Sequence, residues 1–180
     1  MQIKQNGKIS ACSRDNIVEK RYLGDLRKNS LTEIWNDRPV REMRLALLKD
    51  QAVSACANCY EMESLGLESD RQTFNSLYAN EIENLLTSTD ENGRVPEKSL
   101  TFLEIKLSNK CNFTCRTCEA YSSTSWYPET KDILHLPTPD KVLRPMENTK
   151  EFREILEKQI PYIETISLLG GEPLYDENHY

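Results

Sequence analysis

Three cysteines stand close together in the second half of the sequence, in the segment CNFTCRTC. They are Cys111, Cys115 and Cys118. Structural zinc usually takes four protein ligands in a closed tetrahedron, and this loop offers three. His135 and His179, the only histidines of the chain, lie in a proline-rich stretch and next to the last residue. A 4Fe-4S cluster accommodates three thiolates, because its fourth iron stays open to another ligand. An iron-sulfur cluster therefore tolerates the missing fourth cysteine better than structural zinc does.

Three further cysteines lie in the first half of the sequence. Cys12 follows a short strand pattern, and Cys56 and Cys59 lie in the segment SACANCY. A fold can bring such distant loops onto one metal, and a zinc ribbon places its cysteine pairs in a similar way. From these residues alone, an iron-sulfur cluster, structural zinc and ordinary buried thiols all remain open.

The composition predicts a soluble chain whose thiols stay reduced. The sequence has 180 residues, 38% of them hydrophobic, and a formal net charge of -6 with acidic and basic residues mixed along it. This mixture gives no support to a nucleic acid partner. The opening residues hold no apolar run, and no stretch approaches the ~20 apolar residues of a membrane span. We therefore expect a cytoplasmic protein whose cysteines are metal ligands or redox groups rather than disulfides.

Short elements must position the first three cysteines. The segment QIKQNGKISAC alternates around Asn6 and Gly7, which predicts a hairpin whose second strand ends near Cys12. Ser30 and Glu33 have the spacing of a capping box, which predicts a short helix. The segment SACANCY is expected to form a turn between helices.

A long helix and a linker are predicted next. The helix begins at Ser69, and its apolar positions are Phe74, Leu77, Tyr78, Ile82 and Leu85. Residues 87–98, TSTDENGRVPEK, have no apolar periodicity and contain glycine and proline, which is typical of a linker. A domain boundary is expected there.

Two strands and a helix must position the second cysteine group. SLTFLEIKL predicts a strand buried on both faces, TKEFREILEKQI predicts a helix capped by Asn148 or Thr149, and ETISLL predicts a second buried strand ending in GGEP. Residues 127–147 hold four of the eight prolines and are expected to be irregular. The order of elements indicates the right-handed parallel unit of an α/β barrel or a doubly wound sheet.

The second half resembles the radical S-adenosylmethionine (radical SAM) superfamily, through CNFTCRTC after one strand and LLGGEP at the end of the next. The resemblance implies an α/β fold, with the start of a partial (β/α) TIM-like barrel preceded by a small α+β auxiliary-cluster domain. It implies that Cys111, Cys115 and Cys118 bind a 4Fe-4S cluster. It also implies contacts to S-adenosylmethionine from four residues: Gly170, Gly171, Glu172 and Pro173.

The same resemblance implies an enzymatic activity. In this superfamily the reduced cluster cleaves S-adenosylmethionine to a 5′-deoxyadenosyl radical, which abstracts a hydrogen atom from the substrate. A reductant such as a flavodoxin or a ferredoxin is implied as a partner. No side chain of the chain is assigned a catalytic role beyond binding the cluster and the cofactor.

The first half resembles auxiliary iron-sulfur domains of the SPASM and twitch type, through GKISAC, YLGDL, SLTEIWN and CANCY. This resemblance implies an auxiliary cluster at Cys12, Cys56 and Cys59, and by analogy a peptide or protein substrate. The expected domains are residues 1–86 for the auxiliary cluster and 99–180 for the radical SAM core, joined by the linker at 87–98. Both domains are expected to be incomplete. The alternative function is a non-catalytic zinc or iron-sulfur interaction module.

Overall fold

A computed structural model describes residues 1–15, 22–96, 100–135 and 140–179. Within these ranges five strands form one open, mixed sheet. The strands are β1 (Gln2–Ile3), β2 (Lys8–Ser10), β3 (Gly24–Asp25), β4 (Phe102–Lys106) and β5 (Thr165–Leu169). Their order across the sheet is β3-β2-β1-β4-β5, so strands from both halves of the sequence share it.

The predicted hairpin is confirmed, and it forms one side of the sheet. Gly7 has a φ of +75°, and the backbone N–H of Lys8 donates to Oδ1 of Asn6 at 3.2 Å. β1 pairs antiparallel with β2 and, on its other side, parallel with β4, where Ile3 lies opposite Ile105. The hairpin is therefore anchored to a strand about 100 residues further along the sequence.

The predicted parallel unit is also confirmed. β4 and β5 pair in parallel along their full length, from Phe102 opposite Thr165 to Lys106 opposite Leu169. The connection contains helix α7 (Thr149–Glu157), and the side chain of Asn148 caps it by accepting the backbone N–H of Glu151 at 3.2 Å.

The expected beginning of a barrel is not evident in the described residues. β1 occupies the side of β4 that faces away from β5, and the antiparallel strands β2 and β3 continue the sheet in that direction. β1 is parallel to β4, but β2 and β3 each run antiparallel to the neighbouring strand, whereas all strands of a (β/α) barrel run parallel. β5 lies at the edge of the described sheet, and Ile166 in it is 42% exposed. The prediction that β5 is a buried strand was therefore wrong.

Six more helices precede α7 in the described residues. They are α1 (Leu31–Trp35), α2 (Arg38–Leu48), α3 (Ala57–Ser64), α4 (Asp70–Leu77), α5 (Ala79–Ser88) and α6 (Tyr127–Asp132). The capping box at the start of α1 is confirmed, since Ser30 and Glu33 bond each other's backbone N–H groups. None of these helices combines the length and the apolar sequence that a bilayer-spanning segment requires.

The structure corrects three predictions about helices. The single helix expected from Ser69 is two helices, because Tyr78 leaves the helical conformation with φ -104° and ψ 23°. Its ring lies near that of Phe102, and its hydroxyl bonds Oγ1 of Thr165 at 2.9 Å, which ties the break to the sheet. Cys59 lies in α3 rather than in a turn. α6 occupies the start of the stretch expected to be irregular, of which residues 136–139 lie outside the described ranges.

The expected linker is only partly described. α5 continues into it as far as Ser88, and residues 97 and 98 lie outside the described ranges.

One hydrophobic core lies under the sheet. It combines residues from both halves of the sequence, among them Ile3, Ile9, Leu31, Ile34, Leu103, Ile105 and Phe152. Because β1 and β4 contribute neighbouring side chains to this core, packing supports the pairing between distant segments.

Truncation of a core leucine should destabilise the fold far more than truncation of an exposed one. Leu103 is fully buried in β4, whereas Leu77 is 68% exposed at the end of α4. We expect Leu103→Ala to lower the free energy of unfolding by about 2–5 kcal/mol. The matched variant Leu77→Ala should change it by only about 0.5 kcal/mol. Urea unfolding of the reduced, metal-free chain measures both, and equal losses would contradict this description of the core.

Candidate metal centres

Cys12, Cys56 and Cys59 line one cavity of about 290 Å³. Cys12 and Cys56 are half-buried, and Cys59 is buried. The hairpin supplies the first thiol, while a 3-10 turn (Ser54–Cys56) and the first turn of α3 supply the other two. The structure thus brings together the three cysteines that the sequence analysis grouped.

The segment that carries Cys12 is fastened to the sheet. The backbone N–H of Ser13 donates to Oε2 of Glu104 at 2.9 Å, and the hydroxyl of Ser10 donates to the carbonyl oxygen of Cys12 at 3.1 Å. Glu104 is a nearly buried carboxylate in the middle of β4, and it lines the same cavity. The position of the first thiol therefore depends on the pairing between β1 and β4.

Polar contacts hold α3 and α4 around the same cavity. The side-chain amide of Asn58 donates to the carbonyl oxygen of Arg14 at 2.8 Å, and Nε of Arg14 lies 2.6 Å from Oδ2 of Asp70. Arg71 forms an ion pair with Glu63, which joins α4 to α3. These contacts fix Cys59 in α3, and Cys56 directly before α3, relative to the segment after Cys12.

Burial favours the protonated forms of Cys12 and Cys56 by raising the pKa of each thiol. Burial raises the pKa of Cys12. The pKa of Cys56 is raised first by burial and then by the charges of Cys12 and Cys59, and Arg71 opposes this rise. Cys56 is therefore close enough to Cys12 and Cys59 for their charges to act on it, and a bound cation would favour the thiolate forms of Cys12 and Cys56.

The second cysteine group lies on a loop beyond the carboxyl end of β4. Cys111 is buried, whereas Cys115 and Cys118 are exposed. The backbone N–H of Cys118 donates to the carbonyl oxygen of Cys115 at 3.0 Å, and Nε1 of Trp126 donates to the same oxygen at 3.0 Å. The N–H of Phe113 donates to Sγ of Cys111 at 3.4 Å, so the loop curves around the first sulfur atom.

The GGEP segment lies directly on the backbone that leads into this loop. The N–H of Gly171 donates to the carbonyl oxygen of Ser108 at 3.0 Å, and the N–H of Glu172 donates to that of Lys110 at 2.9 Å. A Cβ atom on Gly171 would overlap the carbonyl oxygen of Lys110, and one on Gly170 would lie 2.5 Å from that of Ser108. The two glycines therefore allow a close approach of backbone to backbone.

The remaining predicted cofactor contacts lie at the same turn. The carboxylate of Glu172 accepts the N–H of Leu174 at 3.1 Å, and Pro173 begins the 3-10 turn Pro173–Tyr175. All four predicted residues, Gly170 to Pro173, are half-buried. The structure thus brings GGEP and the CNFTCRTC loop together at the carboxyl ends of β4 and β5.

The two cysteine groups lie at opposite ends of β4. Because β2 runs antiparallel to β1 and β1 runs parallel to β4, the chain after β2 emerges at the amino end of β4. The CNFTCRTC loop follows the carboxyl end. A strand of five residues spans about 13 Å from its first to its last Cα atom. The two groups therefore form two separate sites.

The donor sets fit iron-sulfur clusters in their chemistry. Each group supplies three thiols, and thiolates are the usual protein ligands of such clusters. Among the residues that the structure describes, no three or more His, Cys, Asp or Glu side chains are grouped closely enough to hold a single metal ion.

Several polar residues around the two sites were not predicted from the sequence. Glu104 and Arg71 line the first cavity, and Asn109 and Thr124 bond the backbone at the base of the second loop. One signal was available for Glu104, because a charged residue stands within the apolar run LEI of a predicted strand. The others depend on contacts between distant segments, which spacing along the chain does not report.

Alkylation of the reduced, metal-free chain should follow thiol exposure. We expect Cys115 and Cys118 to react first and Cys59 and Cys111 last, because the first pair is exposed and the second is buried. Iodoacetamide labelling followed by peptide mass spectrometry measures each rate. Equal rates for Cys111 and Cys115 would contradict the burial of the Cys111 thiol.

Comparison with known families gives one match. Residues 1–60 match the family model SPASM, described as an iron-sulfur cluster-binding domain. The matched stretch contains Cys12, Cys56 and Cys59 and covers 60 of the 180 residues. Comparisons with curated proteins and with solved structures give no match. A SPASM domain is typical of radical SAM enzymes. The first third of the chain is therefore similar to an iron-sulfur cluster-binding domain of the SPASM family.

Proposed function

We propose that the chain is a radical SAM enzyme, or a part of one, which binds two iron-sulfur clusters. The observation that carries the proposal is the contact between the GGEP segment and the backbone of residues 108–110, which leads into the CNFTCRTC loop at the carboxyl ends of two parallel strands. Ligands of open α/β sheets bind at such strand ends. The SPASM match supports iron-sulfur binding at the other end of β4.

In this proposal Cys111, Cys115 and Cys118 hold the catalytic 4Fe-4S cluster. When bound, the cluster supplies the electron that cleaves S-adenosylmethionine to a 5′-deoxyadenosyl radical. Gly170 and Gly171 let the end of β5 approach the loop, so that S-adenosylmethionine would touch both segments. Glu172 and Pro173 complete the turn at the methionine end of the cofactor.

The first half holds the auxiliary cluster in the same proposal. Cys12, Cys56 and Cys59 would bind it, and Arg14 and Arg71 bring positive charge to a cavity that would otherwise hold only anionic ligands. Residues 1–86 form the auxiliary region, residues 87–98 the linker, and residues 99–180 the region of the catalytic cluster. A flavodoxin or ferredoxin in the cytoplasm would act as the reductant, and the substrate would be a peptide or protein.

A non-catalytic metal-binding module is the second candidate. The family match favours it in one respect, because the matched description names cluster binding and no reaction. Such a module would keep the six cysteines and would have no use for S-adenosylmethionine.

Metal analysis tests whether the two sites bind clusters. After anaerobic reconstitution we expect about eight irons and eight acid-labile sulfides per chain, the content of two 4Fe-4S clusters. Cys111→Ala and Cys12→Ala should each lower both numbers to about four, because each removes a ligand of one cluster. Thr117→Ala, a change between two of the cysteines that removes no thiol, is the matched control and should keep the full content. Tightly bound zinc without sulfide would reject iron-sulfur binding.

Cleavage of S-adenosylmethionine distinguishes the two candidate functions. Under dithionite the reconstituted protein should release 5′-deoxyadenosine, which chromatography detects. Cys115→Ala should abolish this release, since it removes a ligand of the cluster next to GGEP. Cys56→Ala should retain it, because the auxiliary site lies at the other end of β4. Fully loaded protein that releases no 5′-deoxyadenosine would favour the non-catalytic module.

A further inference from the structure

Asn109 lies between β4 and the CNFTCRTC loop, and its side chain is completely buried. It stands two residues before Cys111 and carries no thiol, so it is not a member of either ligand set. Few polar residues of the described chain are buried to this degree. A buried carboxamide is costly unless all of its hydrogen-bonding groups have partners.

Every hydrogen-bonding group of this side chain has a partner. Nδ2 donates to the carbonyl oxygen of Ala120 at 3.0 Å and to that of Lys141 at 3.1 Å. Oδ1 accepts the backbone N–H of Leu143 at 2.7 Å. One carboxamide thus joins three segments of the chain.

The backbone of Asn109 makes two further bonds to the same surroundings. Its N–H donates to the carbonyl oxygen of Leu143 at 3.3 Å, and its carbonyl oxygen accepts the N–H of Thr124 at 2.9 Å. Leu143 is itself buried, so the contact fixes Asn109 to a packed part of the molecule.

These bonds close the cysteine loop at its base. Asn109 precedes Cys111 by two residues and Ala120 follows Cys118 by two, so all three thiols lie between the two bonded residues. Residues 112–119 are exposed, whereas Cys111 and Ala120 at the ends of this stretch are buried. Besides the bonds at its base, the loop is held by Nε1 of Trp126, which donates to the carbonyl oxygen of Cys115 at 3.0 Å, and by the hydroxyl of Ser123, which donates to that of Phe113 at 2.8 Å.

We propose that Asn109 is a positioning residue, which holds the loop in a closed form and thereby sets how firmly Cys111, Cys115 and Cys118 retain an iron-sulfur cluster. The role of Asn109 in cluster retention rests on the proposed function, whereas its role in loop closure does not. Only a side chain with adjacent donor and acceptor groups fits here. An aspartate of the same shape would turn a carboxylate oxygen toward the carbonyl oxygens of Ala120 and Lys141, which repel it.

Asn109→Asp tests loop closure in the reduced, metal-free chain. The alkylation rate of Cys111 should rise by about tenfold or more, because loss of a buried hydrogen bond to one partner shifts a local equilibrium by that order. The rate of Cys59, which is buried in the other site, should not change. An unchanged Cys111 rate, or an equal acceleration of both thiols, would overturn the proposal.

Asn36→Asp is the matched control for this experiment. Asn36 also uses both ends of its carboxamide, donating to the carbonyl oxygen of Val95 at 2.9 Å and accepting its N–H at 3.0 Å. Asn36→Asp therefore disturbs a similar pair of side-chain hydrogen bonds at a distance from the loop. We expect it to leave the Cys111 rate unchanged, and acceleration equal to that in Asn109→Asp would count against a specific role of Asn109.

Iron release tests the effect on the cluster. In a Cys12→Ala background, which isolates the loop site, Asn109→Asp should speed loss of iron to a chelator by about tenfold or more. In a Cys111→Ala background, which isolates the other site, it should have no effect. Equal retention by the variant and its parent in the first background would overturn the role in retention. A loop that never binds iron would reject the proposed function, while the alkylation rates would still decide whether Asn109 closes the loop.

Discussion

The contact between the end of β5 and the entry to the cysteine loop constrains where the second site can lie. The parallel ladder of β4 and β5 continues past both strands, through bonds from Gly171 and Glu172 to the backbone of residues 108–110. Any side chain at Gly171 would collide with that backbone. A glycine pair often lets backbone approach a ligand closely. Here the two glycines let the end of β5 approach the backbone of residues 108–110. The loop with the thiols can adopt its position only because this approach is allowed.

The two cysteine groups differ in how the protein encloses them. The first lines a cavity between the sheet and the helices α2, α3 and α4, with Arg71 and Glu104 at its wall. The second projects from the sheet on a loop in which Cys115 and Cys118 are exposed. An enclosed site excludes water and suits a permanently held group, whereas an exposed loop leaves room for a second ligand to approach. This difference agrees with the roles proposed for the two sites.

Local features of the fold were predictable from the sequence, and distant pairings were not. The hairpin turn at Asn6 and Gly7, the capping box at Ser30 and the cap at Asn148 depend on residues within a few positions of each other. The open sheet depends on β1 joining β4 across about 100 residues, and no turn or cap signals that choice. The break at Tyr78 depends on contacts with the sheet, which override helical periodicity. For the proposed sites, spacing divided the six cysteines into two groups but gave no sign of Asn109, whose partners lie on segments distant along the chain.

The anchoring of the hairpin to β4 has a consequence for the timing of synthesis. The N–H of Ser13, next to Cys12, bonds to Glu104, which lies 91 residues further along the sequence. At about 5–20 residues per second, a ribosome needs roughly 5 to 20 seconds to add that length. During this interval the first three thiols are translated but the strand that fixes one of them is absent. The cavity can therefore be completed only after β4 has left the ribosome, and a metal bound there, as in the proposed function, would enter after that point.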